Sequence, residues 1–182
     1  HDWLDGTADD PNPRLNLDFH GTSCAGLVAA RQNNSIGVSG VAPEATLVGL
    51  RLIVDDILST DAQEAEAMGW RNDLIQVKSN SWGPNDDGMR LEGPGALTQA
   101  ALANAVQTGR GGLGTIFVWS GGNGRPAGDH SNYDGYANSI YTIAVAGAGS
   151  TGVQIFESEY GSNLMVTAPS MSTTSDGIVT TD

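Results

Sequence analysis

Basic residues are scarce in this chain. Eight Lys and Arg stand against 21 Asp and Glu, a formal net charge of −13 over 182 residues. Nothing here could neutralise a phosphate backbone, which excludes nucleic-acid binding. The excess acid suits a solvated surface, hard-cation binding or basic substrates. Cysteine is scarcer still: Cys24 stands alone, so no internal disulfide and no thiolate metal cluster can form. No apolar run approaches the ~20 residues of a membrane span. Internal repeats, low-complexity tracts and linkers are missing too. What is plentiful is glycine, 25 residues of it, which speaks for tight turns and close backbone approaches. The length suits one domain or part of one.

The chain is organised around Asp18-Phe19-His20-Gly21-Thr22-Ser23-Cys24-Ala25-Gly26. The small residues Cys24 to Ala30 read as a tightly packed helix, with glycine letting a neighbouring strand come close. His20 then sits in the first turn of a buried helix. Imidazole is the side chain best matched to proton transfer near neutral pH. A hydrogen-bonded histidine at a helix start is the plain alternative.

Around this stretch the pattern alternates. Residues 1–17 read as a polar surface loop, and 33–43 as a glycine-punctuated one. Apolar runs predict strands over 46–52, 74–80, 114–119, 140–145 and 164–168. Helices are expected over 61–70, with Thr60 as N-cap and Glu64 on an early turn, and over 94–106, with Pro94 in the first turn. Strands that read as continuous apolar runs and alternate with helices indicate an α/β fold, a parallel sheet covered on both faces. Ligands bind such sheets beyond the carboxyl ends of the strands. Residues 81–88 and 121–124 fall there.

The histidine segment resembles the histidine motif of subtilisin-type serine proteases, and the cysteine after it is closer to the kexin/furin branch. Three further segments agree in order: Ser79-Asn80-Ser81-Trp82-Gly83-Pro84-Asn85-Asp86-Asp87-Gly88, Ile116 to Gly124, and Asn132 to Tyr141. The resemblance covers nearly the whole chain. It implies a subtilisin-like sheet with helices on both faces, and a secreted or otherwise extracytoplasmic, calcium-dependent serine endopeptidase. Such an enzyme would act as a monomer on peptides or proteins with basic residues at the cleavage site.

The resemblance also assigns roles. His20 is the general base. Asn123 donates its side-chain amide to the developing oxyanion, with a left-handed Asn-Gly turn as the alternative. Ser81, Trp82 and Gly83 form an edge along which an extended peptide could add as a strand; an ordinary strand-to-loop transition is the other reading. Asp86 and Asp134 hold the basic side chain before the scissile bond, and Glu64 and Glu92 meet a basic residue further upstream. One calcium site is implied in the loop of Gln32, Asn34, Ile36 and Val38, with only Asn34 using its side chain. A second is implied at Asp86, Asp129 and Glu159. Plain turns and solvated surface acids are the alternatives.

Two parts of the implied triad have no match. The family's acid lies on a strand upstream of the histidine; Asp2, Asp5 and Asp18 are present there without such a strand. The nucleophile belongs in a Gly-Thr-Ser-Ala-type segment, and none precedes Asp182. The chain is therefore expected to be the central portion of one catalytic domain, cut at both ends and inactive alone. Ser120-Gly121-Gly122 also replaces the commoner Ala-Ser-Gly before the asparagine. Two other readings stay open: a broad-specificity subtilisin whose acids serve calcium alone, and an inactive module that binds peptides.

Overall fold

Four parallel strands lie side by side in sequence order: β1 (Val77–Asn80), β2 (Ile116–Ser120), β3 (Thr142–Ala148) and β4 (Leu164–Pro169). Val77 pairs with Ile116, Phe117 with Thr142, and Ala144 with Leu164, after which a bulge shifts the register. Three helices accompany them, α1 (His20–Ala29), α2 (Asp61–Gly69) and α3 (Ala96–Gly112). This computed structural model describes residues 1–4, 10–13, 19–54, 59–171 and 177–181. Asp5 and Asp18 lie outside the described residues. The chain divides into two units, His1–Ala67 with Val179–Asp182, and Met68–Ile178.

In the second unit, burial alternates along β1, β2 and β3, while β4 is exposed along most of its length. Lys78, Asn80, Phe117, Trp119, Thr142 and Ala144 are buried, while Val77, Ile116 and Val166 are 51%, 40% and 52% exposed. The parallel sheet expected from the sequence is present, but β1 is polar on its buried side. Burial holds the Lys78 ammonium down at a pKa of about 7. Its Nζ donates to Met68 O in the last turn of α2 and to Trp70 O just beyond it. Buried positions on α3 recur at Thr98, Leu102, Ala105 and Gly109, the spacing of one helical stripe. The helix starts after Pro94, with Gly95 at its cap, and its backbone leaves helical geometry at Gly109. Trp119 fixes the end of β2: its Nε1 donates to Trp82 O at 2.6 Å, and its ring stacks on Tyr136.

The first unit holds α1 and the start of α2. Thr60 and Gln63 close a reciprocal capping box, Thr60 N donating to Gln63 Oε1 and Gln63 N to Thr60 Oγ1. At the C-terminal end of α1, the returning loop caps the last carbonyls: Gly40 N, Val41 N and Ala42 N donate to Ala30 O, Leu27 O and Val28 O. Close packing at Gly26 is also present, since a Cβ there would strike the hydroxyls of Thr180 and Thr181. Thr180 Oγ1 in turn donates to Ser23 O at 2.7 Å.

Two expectations fail here. The helix of His20 is not buried: only Gly26 and Ala29 are, while Leu27 and Val28 point to solvent. Its small residues serve one close approach, not a surrounding core. The apolar run 46–52 is no strand. Its one described bridge joins Arg51 to Asp2, and Leu47 and Val48 are half exposed. A run of apolar residues becomes a strand only where a neighbour takes its backbone groups.

Candidate functional site

The carboxyl ends of the strands open into a cleft of about 290 Å³ lined by Ser81, Ser120, Gly121, Asn123 and Gly147. Asn123 is exposed there, three residues beyond the end of β2. The turn before it depends on Gly122, whose φ of +92° is a left-handed conformation that side chains resist. A Cβ on Gly122 would also fall on the Glu159 carboxylate. The commoner serine is replaced one residue earlier, at Gly121, where a Cβ would come 2.6 Å from Leu164 Cδ2.

Below the turn lies a cluster of acids. Carboxylate oxygens of Asp86, Asp129 and Glu159 come within 4.8 Å of one another. Asp86 Oδ2 accepts from Asn123 N at 3.1 Å, and Glu159 Oε1 accepts from Gly124 N at 2.8 Å. Burial raises the pKa of both carboxyls, that of Glu159 to about 7, and repulsion from Asp129 adds to it. The donor set is all hard oxygen, as Ca²⁺ demands, and a cation there would relieve the repulsion. Gly124 leaves the room: a Cβ on it would sit 2.6 Å from Asp129 Cβ and 2.7 Å from Asp86 Cβ. These residues fit a calcium ion.

Asp134 stands beside this cluster. Tyr136 N donates to its Oδ1 at 2.7 Å, yet burial still raises its pKa to about 6, with repulsion from Asp86 and Asp129 adding. Gly83 makes space for it, since a Cβ there would come 3.1 Å from Asp134 Oδ2. Trp82 is packed between Trp119 and Tyr136, with centroids at 4.8 and 5.0 Å, so the segment of Ser81, Trp82 and Gly83 rests on aromatic rings. Ser81 and Gly83 are exposed.

Glu92 is laced to the same region through its backbone: its N–H donates to Tyr133 O, and its carbonyl accepts from Gly135 N. Its side chain does not stand alone. Arg90 lies 3.7 Å away while also bonding Asp87 at 2.6 Å. Glu64 belongs to the first unit, where it is buried and accepts from Ser59 Oγ. His20, also of the first unit, is exposed, with Nδ1 3.9 Å from Cys24 Sγ one turn on.

The loop of Gln32, Asn34, Ile36 and Val38 is wound in alternation, with positive φ at Asn33, Ser35 and Gly37. Asn34 Oδ1 accepts from Ile36 N at 3.0 Å, which leaves a lone pair for a hard cation.

Sequence reasoning missed the supports of Glu159. Gln154 Nε2 donates to Ser158 O and Glu159 O, and the Arg125 guanidinium lies 4.6 Å over the Tyr160 ring. Neither residue belongs to a motif, so no local signal marks them. Gly122 and Gly124 could have been found, because Gly-Gly-Asn-Gly after an apolar strand is a strained turn by composition.

Comparison with known proteins agrees with this geometry. The Subtilase family model matches residues 2–181. The chain is 44% identical over 183 residues to human proprotein convertase subtilisin/kexin type 6, covering 98% of this chain and 19% of that protein. It is 44% identical over 177 residues to human furin, covering 95% and 22%. The chain thus spans about a fifth of the length of these relatives. A serine protease of Aeromonas sobria superposes with a TM-score of 0.76 over 90% of this chain and 30% of its own; at 24% identity this shows the shared fold. Motifs, parallel sheet and family match together place the chain in the subtilase family, among kexin-like relatives.

Proposed function

We propose that the chain is the central portion of the catalytic domain of a calcium-dependent serine endopeptidase that cleaves after basic residues. The observation that supports it best is the convergence of Asp134 and Asp86 at the foot of the Ser81-Trp82-Gly83 edge. A substrate strand laid along that edge directs its side chain at half-buried Asp134 and exposed Asp86, whose mutual repulsion and partial desolvation a guanidinium or ammonium group relieves. Glu92, and in the other unit Glu64, are the acids for a basic residue further upstream, with Arg90 competing for Glu92.

In the full-length protein, His20 takes the proton of a seryl hydroxyl supplied from outside this segment and returns it to the leaving amine. The Asn123 side chain donates to the oxyanion of the tetrahedral intermediate. Loss of such a donor in subtilisin, a member of the same family, costs about 10²–10³ in kcat. Calcium at Asp86, Asp129 and Glu159 would supply fixed positive charge that holds three mutually repelling acids together. The loop of Gln32, Asn34, Ile36 and Val38 would hold a second ion. An extracytoplasmic, monomeric enzyme acting on peptides or proteins completes the proposal. Among the described residues no helix is long and apolar enough to cross a membrane.

A second reading is favoured by Asp86, which already serves Asn123 N and the acid cluster. In that reading the acids hold metal alone and the enzyme is a broad-specificity subtilisin. Hydrolysis of matched arginine and leucine peptides by the full-length protein separates the two. A preference for arginine of ~10²-fold or more follows from the cost of an unpaired buried charge. Equal rates sink the basic-residue proposal, and no hydrolysis, unchanged in His20→Ala, leaves only a peptide-binding module.

A further inference from the structure

Resting on the reading of Asn123 as oxyanion donor, we propose that Glu159 and Asp86 are positioning residues for the oxyanion turn, each lending one carboxylate oxygen to a backbone N–H of Asn123-Gly124. The role is separate from any hold on a metal or on substrate.

The bonds are consecutive. Asp86 Oδ2 takes the N–H of Asn123 and Glu159 Oε1 takes the N–H of Gly124. Two successive amides held by two anions fix the peptide planes on either side of the Asn123 Cα, and so fix where its side chain starts. The turn is also seated on the acids sterically. Side chains at Gly122 and Gly124 would strike Glu159, Asp129 or Asp86. The main chain adds two more ties, Glu159 N donating to Gly122 O and Asp129 N to Gly124 O. Glu159 is itself held from behind, through Gln154 to its carbonyl. Asp86 Oδ1 and Glu159 Oε2 take no hydrogen bond among the described residues, so each carboxylate can bridge a cation on one oxygen and the turn on the other. Charge-assisted bonds of this type are the stronger class, and an oxyanion donor works only when its geometry is set beforehand.

The test uses the full-length enzyme at saturating calcium. Glu159→Ala should lower kcat by ~10-fold with KM changed less than ~2-fold, the pattern of an interaction felt only in the transition state. Glu159→Gln, whose amide oxygen still accepts the Gly124 N–H, should recover at least half of that loss on a logarithmic scale. In an Asn123→Ala background both substitutions should be silent, since the residue they act through is gone. An equal loss from Glu159→Ala in both backgrounds overturns the proposal. So does Glu159→Gln as damaging as alanine, because charge and not the hydrogen bond would then be at work. Should Glu159→Ala fail to fold, amide hydrogen exchange in the wild type decides: slow exchange at Asn123 and Gly124 supports the positioning bonds, and exchange at the rate of unbonded loop amides overturns them. Normal kcat in Asn123→Ala would instead remove the oxyanion reading itself, leaving the exchange result to speak for the hydrogen bonds.

Discussion

Selectivity for arginine over leucine before the scissile bond should itself depend on pH, and Asp134 sets the range. Burial lifts this carboxyl to a pKa of about 6 in the empty site, against the help of the Tyr136 and Ala137 amides. Only the ionised form pairs with a guanidinium. With a pKa near 6, about a tenth of the sites are ionised at pH 5 and about nine-tenths at pH 7, so the arginine preference should rise by up to ~tenfold between them; bound calcium would relieve the repulsion from Asp86 and Asp129 and move the rise to lower pH. Leucine gains nothing from the ionised acid. The assay is kcat/KM for two peptides differing only at that position, measured from pH 5 to 8 with the full-length protein at saturating calcium. Asp134→Asn should lower the ratio at pH 7 and flatten its pH dependence, chiefly by slowing the arginine peptide. A ratio that is flat in the wild type, or that still rises tenfold in Asp134→Asn, would refute the reasoning.

Without metal, Glu159 and Asp134 both have folded pKa values raised above those of the unfolded chain. Their contribution to stability is then full below pH 4 and lost as pH rises through about 6 to 7, so in chelator the melting temperature of the full-length protein should carry a downward component between pH 5 and 8. Calcium should remove it, because it binds the ionised acids; the same slope in chelated Glu159→Gln as in the wild type would count against the assignment. Gly122→Ala combines a left-handed φ with a Cβ on the Glu159 carboxylate, and should cost more than ~1 kcal/mol of stability. An unchanged melting curve for Gly122→Ala would mean that the turn is not seated as described. Arg90→Ala should free Glu92 and raise the preference for a basic upstream residue about two- to fivefold, the small effect of a solvent-screened ion pair; no change on substrates with and without that residue would show that Arg90 does not compete.

Much of the second unit was legible in the sequence because its signals are local. The runs ending at Trp119, Val145 and Ala168 carry enough apolar and β-branched character to mark strands, and Pro94 marks the start of α3. Asn123, Asp86 and Asp134, proposed here as site residues, stand in motifs that resemble a family, and the structure places Asn123 against Asp86 and Asp86 near Asp134. What escaped depends on partners far along the chain. Thr46 to Leu52 reads as a strand, but only a neighbour can make it one. The exposure of α1 follows from how little packs on it beyond Gly26, which no spacing reveals. Gln154 holds the Glu159 carbonyl, and Arg125 holds the nearby Ile155 carbonyl and Tyr160 ring, contacts that leave no pattern in the chain.

The loop between Ala30 and Gly40 bears on how an endopeptidase survives its own copies. Arg31 is exposed at its entrance and is a basic residue of the type the proposed enzyme would cut after. In the proposed mode of binding, a substrate lies extended along the Ser81-Trp82-Gly83 edge, exchanging backbone hydrogen bonds like a strand. Positive φ at Asn33, Ser35 and Gly37 winds the chain past Arg31 out of that conformation, and the hydrogen bond from Gly40 to Ala30 ties the neck shut. Cutting after Arg31 therefore requires the loop to unwind first, and a bound ion would oppose that unwinding. The shape of the loop is then a shield against self-digestion, and the appearance of a nick there would time its loss.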